Sequence, residues 1–258
     1  TGTAACAAIP PDGYCMKTLS LIFLFWLVIT TDSSAAETDR FAVEKDVTAT
    51  FLKDMSVTYR PGVGLEGRRC LDGRLPGKDA EMIEFWASLE CSYCGIRELV
   101  KAQQEHPDWC VVVRHIPASP EGLRKALSFE ALRKFSTSAA LTFWDAVIPK
   151  KDSPMPRPYE GALIQAYADA AISEADFSAA LTGEAADIVD ADTEAGRGII
   201  SSTPTYVLRG IRFGSCDFTA KQLERALDLA RRARTGDPEA AREVGEVITR
   251  GRMGEKML

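Results

Sequence analysis

The amino-acid sequence predicts an α/β fold in which a long helical insertion interrupts a small sheet. Three features lead to this fold class: a strand–helix–strand unit, a stretch of almost continuous helix after it, and a strand hairpin followed by a helix. A strand–helix–strand unit of this size makes a parallel crossover. No internal repeat is visible in the chain.

The strand–helix–strand unit begins at Met82–Trp86, a short apolar run suited to a buried strand. Apolar residues then recur at three- and four-residue spacing, which predicts a helix from Cys94 to Gln104. Val111–Ile116 is the second expected strand, and Pro117 ends it.

The helical insertion is expected over residues 118–197, where apolar residues follow helical periodicity. Ser173 and Asp176 have the spacing of a capping box at the start of one of its helices. After the insertion, Ile199–Ile200 is expected to be strand, and Arg209–Gly210 is expected to turn the chain within a hairpin. The hairpin strands and the helix after them are expected at Thr205–Leu208, Ile211–Phe213 and Phe218–Arg234.

Composition and charge restrict the classes of function. The 258 residues are 46% hydrophobic and 26% charged, which is ordinary for a globular protein and argues against a disordered chain or a membrane bundle. A net charge of −6 gives no electrostatic case for binding nucleic acid or an anionic membrane. The two histidines, His106 and His115, are too few for a His-rich metal site, and His115 is expected to be a hydrogen-bonded structural residue.

Residues 16–36 have the pattern of a secretory signal peptide. A basic start is followed by a short apolar run and by small residues, Ser34 and Ala36, before the expected cleavage site. A membrane anchor is the alternative, although the apolar run is shorter than the roughly 20 residues that span a bilayer. Residues 1–15 precede the first methionine and are excluded from the fold, together with their two cysteines. The remaining expected segments are an N-terminal extension (37–77), a main domain (78–234) and a helical tail (235–258).

Cys91 and Cys94 form a Cys-x-x-Cys pair at the junction of the first strand and its helix. At a helix N-terminus, unpaired N–H groups and the helix dipole stabilise a thiolate, which is the reactive form of cysteine. We therefore expect Cys91 to be the nucleophile and Cys94 to resolve the mixed disulfide. The alternatives are a structural disulfide and half of a zinc site, but no second close Cys or His pair follows in the sequence.

These segments, with Thr203-Pro204 before a strand, resemble the DsbA-type thiol–disulfide oxidoreductases of bacteria. The resemblance implies a thioredoxin-like fold with a helical insertion over most of residues 78–234. It implies a cis bond before Pro204 that faces the active disulfide, and substrate binding by Thr203, Pro204 and Tyr93. The pair itself carries the chemistry, so no small-molecule cofactor is expected.

Three features depart from the DsbA-type pattern. Tyr93 stands where the strongest oxidants of that family carry histidine, and Ser92-Tyr93 together with Thr203-Pro204 also resembles the DsbC-type isomerases. Glu84 lies one position away from the acidic residue often found in the family, so it is expected to face the other side of the strand and is not assigned as a proton shuttle. Arg97 and Glu90 are expected to be solvated charges at the rim of the site.

Three more cysteines lie after the expected signal peptide: Cys70, Cys110 and Cys216. Cys110 is expected to be a buried small apolar residue, and Cys70 and Cys216 are candidates to pair with each other. An odd number of cysteines leaves at least one without an intramolecular partner.

The sequence therefore predicts a periplasmic or otherwise extracytoplasmic enzyme that forms or exchanges disulfides in unfolded or partly folded exported proteins. An oxidase, reoxidised by a quinone-linked membrane partner, is favoured over an isomerase kept reduced by a thiol-donating membrane partner. A metal-handling protein with the same fold and a non-redox chaperone remain as alternatives of other classes.

Overall fold

The computed structural model describes residue 65 and residues 67–149, 157–214 and 218–250, the last two residues for their backbone only. Its strands are β1 (Glu81–Ala87), β2 (Trp109–His115), β3 (Thr205–Leu208) and β4 (Ile211–Gly214). Its helices are α1 (Arg97–Glu105), α2 (Pro120–Phe135), α3 (Thr137–Val147), α4 (Tyr159–Ala170), α5 (Glu174–Thr182), α6 (Glu184–Gly196), α7 (Ala220–Arg234) and α8 (Pro238–Arg250). The described residues all belong to one unit, Lys45–Leu258.

In the described part of the chain, the strands form one mixed sheet in the order β2-β1-β3-β4. β1 and β2 are parallel and joined through α1, as a strand–helix–strand crossover requires. β3 pairs antiparallel with β1 and with β4, and the turn at Arg209 and Gly210 closes the expected hairpin. Both turn residues have positive φ angles, 49° for Arg209 and 81° for Gly210. Helices α2 to α6 lie between β2 and β3 in the sequence.

Both faces of the sheet are covered, which explains why its central strands are almost continuously apolar. Ile83 and Phe85 on one face pack into the main hydrophobic core with side chains of the helices. On the opposite face, Trp86 packs with Val207 and the end of α6. A Cβ at Gly196 would lie 2.4 Å from Cδ1 of Ile116 and 2.7 Å from the ring of Trp86, so α6 can approach the sheet because this residue has no side chain.

A buried ionic cluster joins the segment before β1 to the sheet and the helices. Asp192 of α6 lies 2.6 Å from Nε of Arg114 in β2 and 3.2 Å from Nη2 of Arg68. Glu130 of α2 accepts a 2.8 Å hydrogen bond from Nε2 of His115, as expected for a structural histidine. It also lies 2.8 Å from Nη2 of Arg133. Because all these groups are buried, each charge needs its partner within the protein.

Cys70 forms a disulfide with Cys110 and not with Cys216, the candidate partner that the sequence suggested. Cys110 is buried, as expected, but it is bonded rather than free. The physical reason is a contact with a distant part of the chain: the N–H of Leu71 donates to the carbonyl of Val111 at 2.7 Å, so the loop runs beside β2 and places Cys70 next to Cys110. Cys216 lies outside the described residues.

Two other expectations meet a definite outcome. Ile199–Ile200 is a turn rather than a strand, since the N–H groups of both residues donate to the carbonyl of Gly196. Ser173 does cap α5, because its side chain accepts from the N–H of Asp176. None of the described helices combines the length and the hydrophobicity needed to cross a membrane. The expected signal peptide and most of the N-terminal extension lie outside the described residues.

Candidate functional site

The Cys91–Cys94 pair occupies a turn that follows β1. The N–H of Cys91 donates to the carbonyl of Ser88 at 3.1 Å, and the N–H of Cys94 donates to the carbonyl of Cys91 at 3.0 Å. Helix α1 begins only at Arg97, three residues later than its expected start at Cys94. Cys91 therefore does not lie at a helix N-terminus, and local hydrogen bonds within the turn replace the expected effect of the helix dipole.

The two sulfurs differ in accessibility. Cys91 is partly exposed, whereas Cys94 is fully buried in the main core, and both are free thiols. The indole Nε1 of Trp144, in α3, donates to the carbonyl of Cys94 at 2.9 Å. The helical insertion thus fixes the buried end of the pair, and solvent reaches the other end.

The two thiols also differ in acidity. The hydrogen bond from the Cys94 thiol lowers the pKa of Cys91 to about 6; burial opposes this shift, and Thr203 and the backbone at Tyr93 and Cys94 reinforce it. The pKa of Cys94 is raised far above its ordinary value, first because its thiol donates to Cys91 and second because it is buried. Cys91 is therefore the thiolate near neutral pH, and Cys94 keeps its proton.

The loop before β3 meets the pair. When Cys91 is protonated, its thiol donates to the carbonyl of Thr203 at 3.3 Å, and the peptide bond from Thr203 to Pro204 is cis, as the resemblance implies. Pro204 is buried, and 46% of Tyr93 is exposed on the turn. The structure thus brings Cys91, Cys94 and Thr203 together, with Pro204 next in the chain.

A groove of about 280 Å³ opens beside Cys91. Its lining residues come from the turn after β1, from the segment after β2 and from the loop before Pro204: Ser88, Glu90, Cys91, Ile116, Ala118, Ile200, Ser201, Ser202 and Thr203. Sequence reasoning did not identify the serines or isoleucines of this groove as site residues. The signal for Ser88 and for residues 200–202 was their position close to Cys91 or Thr203 in the chain, whereas Ile116, which follows β2, had no such signal.

Of the three charged residues considered near the pair, two have the expected environment and one, Glu90, does not. Arg97 is an exposed residue whose Nη2 lies 2.5 Å from Oδ2 of Asp145, as expected at a rim. Glu84 is buried, with its Oε2 3.7 Å from Nη1 of Arg114 on the face of β1 opposite Phe85. Glu90, in contrast, is not a solvated rim charge, because it is partly buried and accepts a hydrogen bond from Ser119.

No group of three or more potential ligands is arranged for a metal ion among the described His, Cys, Asp and Glu side chains. In the part of the chain that the structure describes, no third His, Cys, Asp or Glu side chain lies where it could bind a metal ion together with Cys91 and Cys94.

The alkylation rate of Cys91 is expected to follow pH with a midpoint near 6, because only the thiolate reacts and the ordinary midpoint is 9. Cys94 should remain unlabelled over the same range. In the Cys94→Ala variant the midpoint should rise, since the largest cause of the lowered pKa is removed. Mass spectrometry of each cysteine after brief iodoacetamide treatment measures this. A Cys91 midpoint above pH 8 would contradict the assignment.

The fold is similar to those of many solved structures, including the following two. One is the thiol–disulfide exchange protein alpha-DsbA2 from Wolbachia pipientis, with 15% identity, a TM-score of 0.51, and coverage of 76% of this chain and 98% of that one. The other is a linker-deleted variant of ScsC from Proteus mirabilis, with 17% identity, a TM-score of 0.51, and coverage of 80% and 99%. No family model and no curated protein matches the sequence. The predicted α/β, thioredoxin-like fold is confirmed.

Proposed function

We propose that this protein is a thiol–disulfide oxidoreductase that acts on protein substrates through Cys91 and Cys94. One observation carries the proposal: an accessible thiol with a pKa lowered to about 6 is hydrogen-bonded to a buried thiol with a raised pKa. A purely structural pair has no need of this asymmetry, whereas an attacking thiol and a resolving thiol require it.

In the oxidising direction, a substrate thiolate attacks the sulfur of Cys91 in the Cys91–Cys94 disulfide. The bond between the two cysteines breaks, and Cys94 leaves with the electron pair and takes up a proton. A second substrate thiolate then attacks the substrate sulfur of the mixed disulfide and releases Cys91 as a stable thiolate. The substrate loses two electrons and the pair gains them. In the reverse direction, Cys91 attacks a substrate disulfide and Cys94 resolves the intermediate.

Thr203, Pro204 and Tyr93 are proposed to hold the substrate beside Cys91. When Cys91 is a thiolate or is bonded to a substrate, the carbonyl of Thr203 loses the thiol as its donor. That carbonyl can then accept from the backbone of an extended substrate segment. Tyr93, which is 46% exposed, offers an aromatic surface next to the same sulfur.

A moderate oxidase is the favoured direction. A lowered thiol pKa stabilises the reduced pair only by the amount by which the pKa lies below the ambient pH. At pH 7 the Cys91 pKa of about 6 lies about one unit below, which raises the reduction potential by about 30 mV. A potential between the extremes of roughly −270 and −120 mV for such proteins is therefore proposed. The proposed compartment is extracytoplasmic, after cleavage at residue 36. The proposed redox partner is a quinone-linked membrane protein, or a thiol-donating one if the enzyme is an isomerase.

The direction is tested with ribonuclease as the substrate. Purified protein is added to reduced, unfolded ribonuclease and, separately, to scrambled ribonuclease, and recovery of ribonuclease activity is followed. Rapid recovery from the reduced form, with little from the scrambled form, is expected for an oxidase. Recovery of the scrambled form alone would make it an isomerase. Recovery of neither, with metal bound by the reduced protein, would favour the metal-handling alternative.

A further inference from the structure

The groove beside Cys91 has an acidic wall. Of the described residues that line it, Glu90 alone has a carboxylate, and the Cys91 thiolate is the other negative charge; the rest are serine, threonine, alanine and isoleucine. Glu90 directly precedes Cys91 in the chain. A substrate segment whose cysteine meets Cys91 would therefore place its flanking side chains near this carboxylate.

The Glu90 side chain is held in place by the start of α2. Its Oε1 accepts a hydrogen bond from the hydroxyl of Ser119, the N-cap residue of α2, whose oxygen accepts from the N–H of Gly122 at 3.1 Å. A Cβ at Gly122 would lie only 2.1 Å from Oε2 of Glu90, so this glycine leaves the space that the carboxylate fills. The negative charge is thus fixed relative to the reactive sulfur.

The charge of Glu90 is not paired within the described part of the protein. Its Oε2 is buried and has no hydrogen-bond partner there, and no described lysine or arginine forms a salt bridge with it. Glu84 and Glu130, in contrast, lie beside Arg114 and Arg133. A partly buried charge without a counter-ion is screened less by salt than an exposed one and attracts a cation that enters its groove.

We propose that Glu90 is a specificity-determining residue that selects substrates with lysine or arginine next to the reactive cysteine. The inference rests on the proposed exchange function and names the chemistry of its substrates. An extended segment pairs its backbone near Thr203, its cysteine faces Cys91, and the neighbouring basic side chain enters the groove toward Glu90.

The test uses the full chain with Cys94→Ser, so that the mixed disulfide on Cys91 is not resolved. Three peptides differ only in the residue beside their cysteine, which is lysine, glutamine or glutamate, and each cysteine is capped by 2-mercaptoethanol. The Cys91 thiolate attacks the peptide sulfur, a new disulfide forms, and mercaptoethanol leaves as a thiolate that takes a proton from solvent. The peptide adduct on Cys91 is quantified by mass spectrometry, with Cys91→Ser as the background.

The lysine peptide is expected to react about fivefold faster than the glutamine peptide, and the glutamate peptide more slowly still. Glu90→Gln should reduce the differences among the three rates to those that the Cys91 thiolate alone produces, whereas Glu98→Gln, which removes an exposed charge outside the groove, should retain the full preference. The ratio of rates within one variant is independent of its thiolate fraction. In the unsubstituted Glu90 background, 0.5 M salt should also weaken the preference.

Equal rates for the three peptides in the Glu90 background would overturn this inference and leave the exchange function intact. A preference that is as large in Glu90→Gln as in the Glu90 background would also overturn it. The absence of any Cys91 adduct with all three peptides would instead overturn the proposed function.

Discussion

Replacing Cys91 with serine is expected to reduce the oxidation of unfolded ribonuclease to its uncatalysed rate. A serine hydroxyl cannot form a disulfide, and Cys94 is fully buried with a raised pKa, so it cannot take over the attack. The initial rate of disulfide formation, measured with a thiol reagent, gives the result directly. This loss is the largest effect that we expect from any single substitution.

The Cys94→Ser variant distinguishes the roles of the two sulfurs. Cys91 should still attack, but mixed disulfides with substrate should accumulate because the resolving thiol is missing, and non-reducing electrophoresis detects them. Cys216→Ser removes a thiol outside the pair and is the matched control, with full exchange expected. Faster alkylation of Cys94 than of Cys91 at mildly acidic pH would show that the roles are reversed.

Replacing Glu130 with alanine is expected to lower the free energy of unfolding by about 3 to 5 kcal/mol. The substitution leaves His115, Arg68 and Arg133 buried without the carboxylate that they share. Urea denaturation measures the change. Glu160→Ala is the matched control, since Glu160 pairs with Arg124 at the surface at 3.4 Å and should contribute less than about 1 kcal/mol. An equal decrease in the free energy of unfolding in the two variants would show that burial does not determine how much these ion pairs contribute to stability.

The same carboxylate gives a dependence on pH with a definite sign. Burial alone would raise the pKa of Glu130, but Arg133, His115 and Arg68 outweigh it and lower the pKa to about 2, from an ordinary value of 4.5. A group with a lowered native pKa stabilises the fold fully above its unfolded pKa and loses that contribution as pH falls. Stability should therefore decrease between about pH 4.5 and 2, and Glu130→Gln should decrease less over that range.

Local patterns were sufficient to predict most elements of the fold and to propose the Cys91–Cys94 pair. The apolar run at Met82–Trp86 predicts β1, and the Cys-x-x-Cys spacing identifies Cys91 and Cys94 without knowledge of the fold. The hairpin at Arg209–Gly210 was also predictable, because turn residues separate two short apolar runs. In each case the residues that decide the structure are neighbours in the sequence.

The expectations that failed depend on contacts between distant residues. Cys70 pairs with Cys110 because its loop hydrogen-bonds to β2, and nothing near Cys70 in the sequence signals this. Glu90 is fixed by Ser119, which follows another strand and a helix. Ile199–Ile200 has the composition of a strand, but it packs as a turn against Trp86. Such tertiary contacts override local preference.

The Cys70–Cys110 bond also changes what a single cut in the chain can do. The 40-residue separation between its cysteines contains β1, the turn with Cys91 and Cys94, and α1, so this part of the backbone is a covalent ring. A protease that cleaves one peptide bond within the ring produces a nick, but both ends remain attached through the disulfide. The segment that carries Cys91 and Cys94 is then released only after two cuts or after reduction of that bond.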